Sequence, residues 1–456
     1  MMSRLHYILG ASVFVLAGCA TAPSQEAAST SAQASEPVSV SPAPALPQPT
    51  PNPSPPIAPT PAVPSRPNTP SSSAAPVAPI DIIPLSFGAL DFPALPDWAA
   101  TDVSAARRAM VRSCASIQRR PASAPLSNIA TYSGRVSDWA DVCRLASDAA
   151  QDDRRYWETN FQAWSISVPT GAPGRLTGYY EPIMAARRVR DGVYSEPIQG
   201  RPADLLEIDM GAFDPALRAR GFVGRVEGNK IVPYPPRAQI NADSAPVLAW
   251  GEPAEVLSLQ VQGSGRLQFD DGTQIRAAFA AHNGQRFGSN AQELIRRGHL
   301  SATGASLDAL KNWFKTASPQ ESREVLNANP RTVFFKLQPI TDPNAGPTGG
   351  QSIALEPNGS LAVDTAYHAY GVPIFVAADA PRVALTVDKT LRRLLIAQDT
   401  GGAIKGPLRG DLFWGTGPEA GLRAGRINHD TRFWVLLPKG LDPSVLAANA
   451  APLANK

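Results

Sequence analysis

The chain has 456 residues, 43% of them hydrophobic, which is enough apolar material for two globular domains. A formal net charge of +3 excludes the dense basic footprint of a nucleic-acid-binding protein. His282, His299, His368 and His429 are scattered, with no HExxH and no cysteine pair at ligand spacing, which argues against a metal site.

Residues 1–18 read as a secretory leader. Arg4 gives the basic start, Ile8 to Leu16 the apolar region, and Ala17-Gly18 the small residues before Cys19. The apolar run is too short to span a bilayer. Leu16-Ala17-Gly18-Cys19 is a lipobox, so Cys19 is the expected lipidation site and first residue of the mature chain. Ala20 stands where an aspartate would favour inner-membrane retention, which points to an outer-membrane lipoprotein facing the periplasm. Residues 19–84 are rich in proline, alanine and serine, with few charges and no aromatics. Such a segment cannot bury enough surface to fold and is expected to be a tether. Roughly sixty residues of polyproline II reach on the order of 190 Å.

Removal of Cys19 from the count leaves Cys114 and Cys143 in an oxidising compartment. Cys114 shares a helical face with Ala106, Met110 and Val111; Cys143 shares one with Trp139, Val142 and Ala146. A disulfide pinning two antiparallel helices and a pair of buried free thiols both fit that pattern.

Folded structure is expected from about Leu85, with helices near 102–114, 137–146 and 154–164, the last aligning Trp157, Phe161 and Trp164. From Gly174 the character changes. Leu176-Thr177-Gly178-Tyr179-Tyr180-Glu181-Pro182 reads as a strand opening into a turn. Strand-like runs follow at 193–199, 230–232, 247–250, 256–262, 267–269 and 275–279, punctuated by proline and glycine. Gln260 to Gly265 looks like a polar turn at a strand end, which a plain hairpin would also give.

Three helices then interrupt the strands. Asn290-x-x-Glu293 is one capping box and Ser318-Pro319-Gln320-Glu321 a stronger one, with Leu307, Leu310, Trp313 and Phe314 between them. Strands resume at 333–335, 361–363, 374–376, 383–387, 394–397 and 432–437. The fold class is therefore mainly β with added helices. Two domains in series, or one inserted near Pro182, satisfy the composition equally.

Most motif readings fail on detail. Gly415-Thr416-Gly417 with Gly421 has the wrong spacing for a dinucleotide loop, Arg409-Gly410-Asp411 is a tripeptide too short to mean adhesion, and no serine elbow is present. Asp399-Thr400-Gly401 resembles an aspartic-protease tripeptide, but only one copy exists, so that chemistry would need a symmetric dimer. The remaining candidate is a glycan-cleaving acid, which must protonate a leaving oxygen. An ordinary aspartate is protonated only about 0.1% of the time at pH 7, so its site must raise its pKa by burial or like charge. Asp411, followed by Leu412-Phe413-Trp414 and with Asp399 and Glu419 to come near, has both ingredients. Aspartates capping turns would look similar, and the residues alone do not rank Asp399 against Asp411.

Six blocks in order, LTGYYEP at 176–182, VQGSG at 261–265, NPRTVFF at 329–335, QDTGGAIKG at 398–406, DLFWGTG at 411–417 and GPEAGLRAG at 417–425, resemble the membrane-bound lytic murein transglycosylase A family. The C-terminal part is similar to the domain named for three aspartates. The resemblance implies a discontinuous double-psi β-barrel from residues 85–182, with N-terminal helices, and 339–440. A smaller β-barrel, 183–338, would be inserted in it, and 441–456 would be a tail. It implies Asp411 as the catalytic acid, Asp399 and Asp364 as supporting carboxylates, and Thr177, Gly178, Tyr179, Gln262, Ser264, Lys405 and Glu419 as substrate-binding residues.

The implied reaction is that of a peptidoglycan lytic exotransglycosylase; the residues do not separate terminal from internal cleavage. Asp411 would protonate the oxygen joining N-acetylmuramic acid to N-acetylglucosamine, then accept the proton of the muramic C6 hydroxyl, leaving a 1,6-anhydro end. No cofactor is implied. The implied partners are peptidoglycan glycan strands and a membrane, through the lipid on Cys19, with protein partners in wall synthesis or division left open. An inactive peptidoglycan-binding lipoprotein and a hydrolytic muramidase are the rival readings.

Overall fold

Strand β1 (Ser86–Leu90) pairs antiparallel with β2 (Phe161–Ser167), and the chain between them forms a helical layer. The computed structural model describes residues 83–450 apart from 215–216, 218–220, 242, 302–306 and 382–389. The leader, Cys19, nearly all of the tether and the 383–387 run lie outside the described residues.

The helical layer holds α1 (Ser104–Ile117), α2 (Ala140–Ala146) and α3 (Asp153–Asn160). Ala106, Met110 and Cys114 recur at helical spacing and are buried, whereas Val111 turns to solvent. Cys114 and Cys143 form a disulfide between α1 and α2, with Cα atoms 5.1 Å apart. Opening this link, whose ends lie 29 residues apart, should cost roughly 3–4 kcal/mol through the entropy of the unfolded chain. Thermal unfolding of Cys143→Ala, compared with wild type with and without reductant, measures it; reductant should lower only the wild-type midpoint.

Helix α3 is shorter than its aromatic spacing suggests. Asp152 caps it by accepting from Arg155 N at 3.1 Å, and it stops at Asn160. From Phe161 burial alternates, with Phe161 and Ala163 inside, and β2 pairs with two strands. In a strand Phe161 and Trp164, three residues apart, fall on opposite faces, so the spacing of Trp157, Phe161 and Trp164 fits a helix alone. The ladder hydrogen bonds decide for the strand.

β3 (Gly174–Glu181) leads into a block holding β4 (Ile183–Ala186), β5 (Glu196–Gln199), β6 (Leu206–Asp209), β7 (Gly221–Glu227), β8 (Lys230–Pro233) and β9 (Val247–Gly251). α4 (Pro253–Gln262), β10 (Gly265–Phe269), β11 (Gln274–His282), α5 (Asn290–Arg296), α6 (Leu307–Thr316), α7 (Pro319–Asn327) and β12 (Val333–Gln338) complete it. One sheet runs β12-β11-β10-β4, and single bridges Arg187–Trp250 and Gly200–Phe335 join its edges to the β5–β9 pair. These joins close the six strands into a small ring around Met184, Ile198, Leu259, Leu267, Ala277 and Phe335.

The 256–262 run, expected as a strand, is helical in α4. Pro253 occupies the first turn and Gly263, at φ 81°, ends the helix in the left-handed region. Those two punctuation residues outweigh the alternation between them. α7 carries the expected box, Ser318 and Glu321 bonding each other's backbone N–H. At α5 the cap is Ser289, which accepts from Gln292 N. Asn290 is instead buried, and its amide donates to Val325 O at 2.6 Å.

The return segment gives β13 (Ser360–Val363), β14 (Pro373–Pro381), β15 (Leu391–Asp399), β16 (Arg409–Thr416), α8 (Pro418–Ala424), β17 (Asn428–Pro438) and α9 (Pro443–Ala450). α9 lies where only a tail was expected. The strand order β17-β14-β15-β13-β16-β3, with β3 pairing back to β17, closes a second six-strand ring. Its core is continuous with that of the helical layer, while the 183–338 block packs around separate apolar clusters.

Candidate active site

Four neighbouring strands of this second ring put the chemistry in one transverse row. Asp399 on β15 lies opposite Ala362 on β13, Ala362 opposite Asp411 on β16, and Asp411 opposite Thr177 on β3. Asp411 is thus the third residue of a strand, not the end of a turn. Ala362, with a side chain of one carbon, is the residue between the two aspartates in this row.

Residues 177 and 179 share a face of β3, and each serves one aspartate. The Thr177 hydroxyl donates a short hydrogen bond to Asp411 Oδ1 and itself accepts from Arg409 Nη2 at 2.7 Å. The Tyr179 hydroxyl donates to Asp399 Oδ2 at 2.7 Å, and Gly350 N donates to Asp399 Oδ1 at 2.9 Å. The Phe413 ring stands 5.3 Å from that of Tyr179 and walls the row. Gly178 between them is required by close approach, since a Cβ there would lie 2.6 Å from Trp414 Nε1.

Burial raises the Asp411 pKa to about 6, and the Asp399 charge adds to the rise; Thr177 and Arg409 restrain it. Asp399 is also raised by burial, against the hydrogen bonds from Tyr179, Thr400 and Gly350. Burial, and after it the Asp399 charge, raises the Tyr179 hydroxyl well above the ordinary range. Asp411 accepts on one oxygen from the Thr177 hydroxyl, while each oxygen of Asp399 accepts one hydrogen bond.

The third aspartate has a different task. Asp364 accepts from Gly406 N at 2.8 Å and Ala366 N at 3.2 Å, pinning the loop between β15 and β16, with Lys405 Nζ 3.8 Å away. The same loop is held by His368, whose Nε2–H donates to Pro407 O at 2.7 Å while Nδ1 accepts from the Tyr132 hydroxyl at 2.8 Å. Burial pushes the pKa of this imidazole down to about 4, which keeps it neutral.

Across the junction, Gln262 Oε1 accepts from Tyr180 N at 3.0 Å and Ser264 is buried beside it. Glu419 was expected near Asp411. It instead faces solvent in the first turn of α8, 83% exposed and paired with Arg423. Three contributors escaped the sequence reading. Arg409 belongs to a tripeptide set aside as chance, Ala362 has no chemical signature, and Arg331 of the NPRTVFF block lies against Gly402, 3.1 Å from where a Cβ would stand. A basic residue two positions before the candidate acid was the one available signal.

A desolvated aspartate with its pKa raised to about 6, a hydroxyl partner and a second carboxylate nearby has the features that general acid catalysis requires. The MltA specific insert domain model matches residues 175–336 and the 3D domain model residues 359–437. Membrane-bound lytic murein transglycosylase A of Escherichia coli (strain K12) is 31% identical over 297 residues, covering 63% of this chain and 72% of that protein. A solved membrane-bound lytic murein transglycosylase from Agrobacterium tumefaciens aligns with TM-score 0.65 at 28% identity, over 80% of this chain and 99% of that one. The E. coli MltA structure with bound chitohexaose aligns with TM-score 0.55 at 26% identity, over 77% and 94%. The chain belongs to the membrane-bound lytic murein transglycosylase A family.

Proposed function

We propose that this enzyme is a lytic transglycosylase that cleaves the β-1,4 bond between N-acetylmuramic acid and N-acetylglucosamine in peptidoglycan without water. The observation that carries this reading is the strand register that sets Asp411 beside Thr177, whose hydroxyl donates to it, in a place where burial raises its pKa to about 6. Protonated Asp411 donates to the glycosidic oxygen as the bond to the muramic C1 breaks. The resulting carboxylate takes the proton of the C6 hydroxyl as that oxygen attacks C1, which closes the 1,6-anhydro ring and restores the acid. One carboxylate suffices because the nucleophile belongs to the sugar and is held at high effective concentration. A muramidase would need a second carboxylate free to activate water or attack the sugar. Asp399 is the nearest candidate, and its two oxygens already accept from Tyr179 and Gly350.

The closed ring that joins β3 to strands from the chain's far end supports a discontinuous double-psi barrel, and the separate ring and cores of 183–338 support an inserted barrel domain. The sugar chain would lie between them, across Thr177, Gly178 and Tyr179 on one side and Gln262 and Ser264 on the other. Lys405 would stand at the edge. The lipobox at Cys19 and relatives named as membrane-bound support an outer-membrane lipoprotein that acts in the periplasm on a wall reached by its tether.

Mass spectrometry of digested sacculi tests the reaction. Ends lighter by one water than reducing muramic ends are expected. Reducing ends would replace this reading with a muramidase, and a digest no faster than that of Asp411→Ala would leave only a binding protein.

A further inference from the structure

Glu181 is the last residue of β3 and has no exposed surface, at the point where the chain leaves the large ring for residues 183–338. Its Oε2 accepts from Arg266 Nε at 2.9 Å and from Thr416 Oγ1 at 2.7 Å; its Oε1 accepts from Arg276 Nε at 2.5 Å. Arg266 and Arg276 are cross-strand partners on β10 and β11. Each guanidinium also donates to the returning chain, Arg266 Nη2 to Pro343 O and Arg276 Nη2 to Ala345 O, both at 2.8 Å. One carboxylate thus joins the exit strand, the sheet of the inserted block, the return segment and, through Thr416, the strand that carries Asp411.

Its place on the strand gives this junction a functional meaning. Residues 177, 179 and 181 share one face of β3, so the group that grips the inserted sheet is in line with the partners of Asp411 and Asp399. On the other side, Arg266 follows Ser264 by two residues. Arg266 N bonds Pro182 O at 2.7 Å, and Gly417 N bonds Glu181 O at 2.9 Å. Apolar side chains of similar volume hold buried positions at least as well as charges do, so a buried ion triad is poorly explained by stability alone. What charges add is direction, because each hydrogen bond admits a narrow range of positions.

We propose that the Arg266–Glu181–Arg276 cluster is a positioning device that sets the wall bearing Gln262 and Ser264 at one distance from Asp411. It thereby fixes the fit of a sugar chain lying across both. This rests on the transglycosylase reading above. Glu181 touches no sugar and acts through β3 and β10.

The test replaces the cluster with apolar residues, Glu181→Leu with Arg266→Met and Arg276→Met, and measures cooperative unfolding, kcat and KM on soluble glycan strands, and the pH profile. The expected result is a folded protein whose KM rises about tenfold or more, with the alkaline limb of the profile unmoved. Calorimetric binding of chitohexaose to the same cluster variant in an Asp411→Asn background should weaken by a similar factor. That measurement needs no turnover, so it separates failure of the clamp from failure of the proposed reaction. Should the triple variant not fold, Glu181→Gln takes its place in both assays with the same expected direction. Unchanged KM and unchanged chitohexaose affinity in a folded variant overturn the proposal, whatever happens to its melting temperature.

Discussion

Asp411→Asn should lower turnover of glycan strands by about a thousandfold, while Asp399→Asn keeps measurable activity. The amide fills the same space beside Thr177 but has no acidic proton to transfer to the glycosidic oxygen, and general acid catalysis is typically worth about 10²–10⁴ in rate. The same variant should gain stability. Asp411 has a folded pKa near 6 against an ordinary 3.8, so its carboxylate opposes folding in full above pH 6 and not at all below about pH 4. The gain is therefore roughly 2–3 kcal/mol at pH 7.5 and close to zero at pH 3.5, read by urea unfolding at both values. A dead Asp399→Asn beside an active Asp411→Asn would reverse the assignment of the acid.

The second large effect is a pair of opposite shifts in the pH profile. Raising the pKa from 3.8 to about 6 lifts the protonated fraction at pH 7 from about 0.1% to about 10%, on the order of a hundredfold more competent enzyme. kcat/KM should accordingly fall about tenfold per pH unit above the midpoint, because the first step consumes the protonated form. The Thr177 hydroxyl stabilises the carboxylate, so Thr177→Val moves this limb to higher pH. The Asp399 charge disfavours the carboxylate, so Asp399→Asn moves it to lower pH. Initial rates on soluble glycan between pH 4 and 9 resolve both. Shifts of the same sign, or none, would mean that another group controls the limb.

The parts of this molecule legible in sequence are those with a local cause. The Ser318 box, the onset of folded structure near Leu85 and the strand before Asp399 follow from caps, composition and periodicity within a few residues. Where aromatic spacing mimics a helix, as from Trp157 to Trp164, or where alternation sits between helix punctuation, as from Pro253 to Gly263, the local signal misled. The row Asp399, Ala362, Asp411 and Thr177 has no local cause at all. Its members meet through three pairings among four strands, two of them parallel and one of these joining opposite ends of the folded chain, and register across such pairs leaves no trace in spacing. Resemblance to a family supplied the ranking of the aspartates that residue chemistry alone did not. Residue chemistry also brought Glu419 near Asp411, where the structure turns that side chain to solvent.

Asp411 owes its place to backbone ladders on both sides of β16, and the approach to it is tied down at Gly406 by Asp364 and at Pro407 by His368. The span from Gly401 to Lys405 is therefore decoupled from the acid. Residues added or removed there leave both ladders and both anchors in place, so the length of this span is free to vary without moving Asp411.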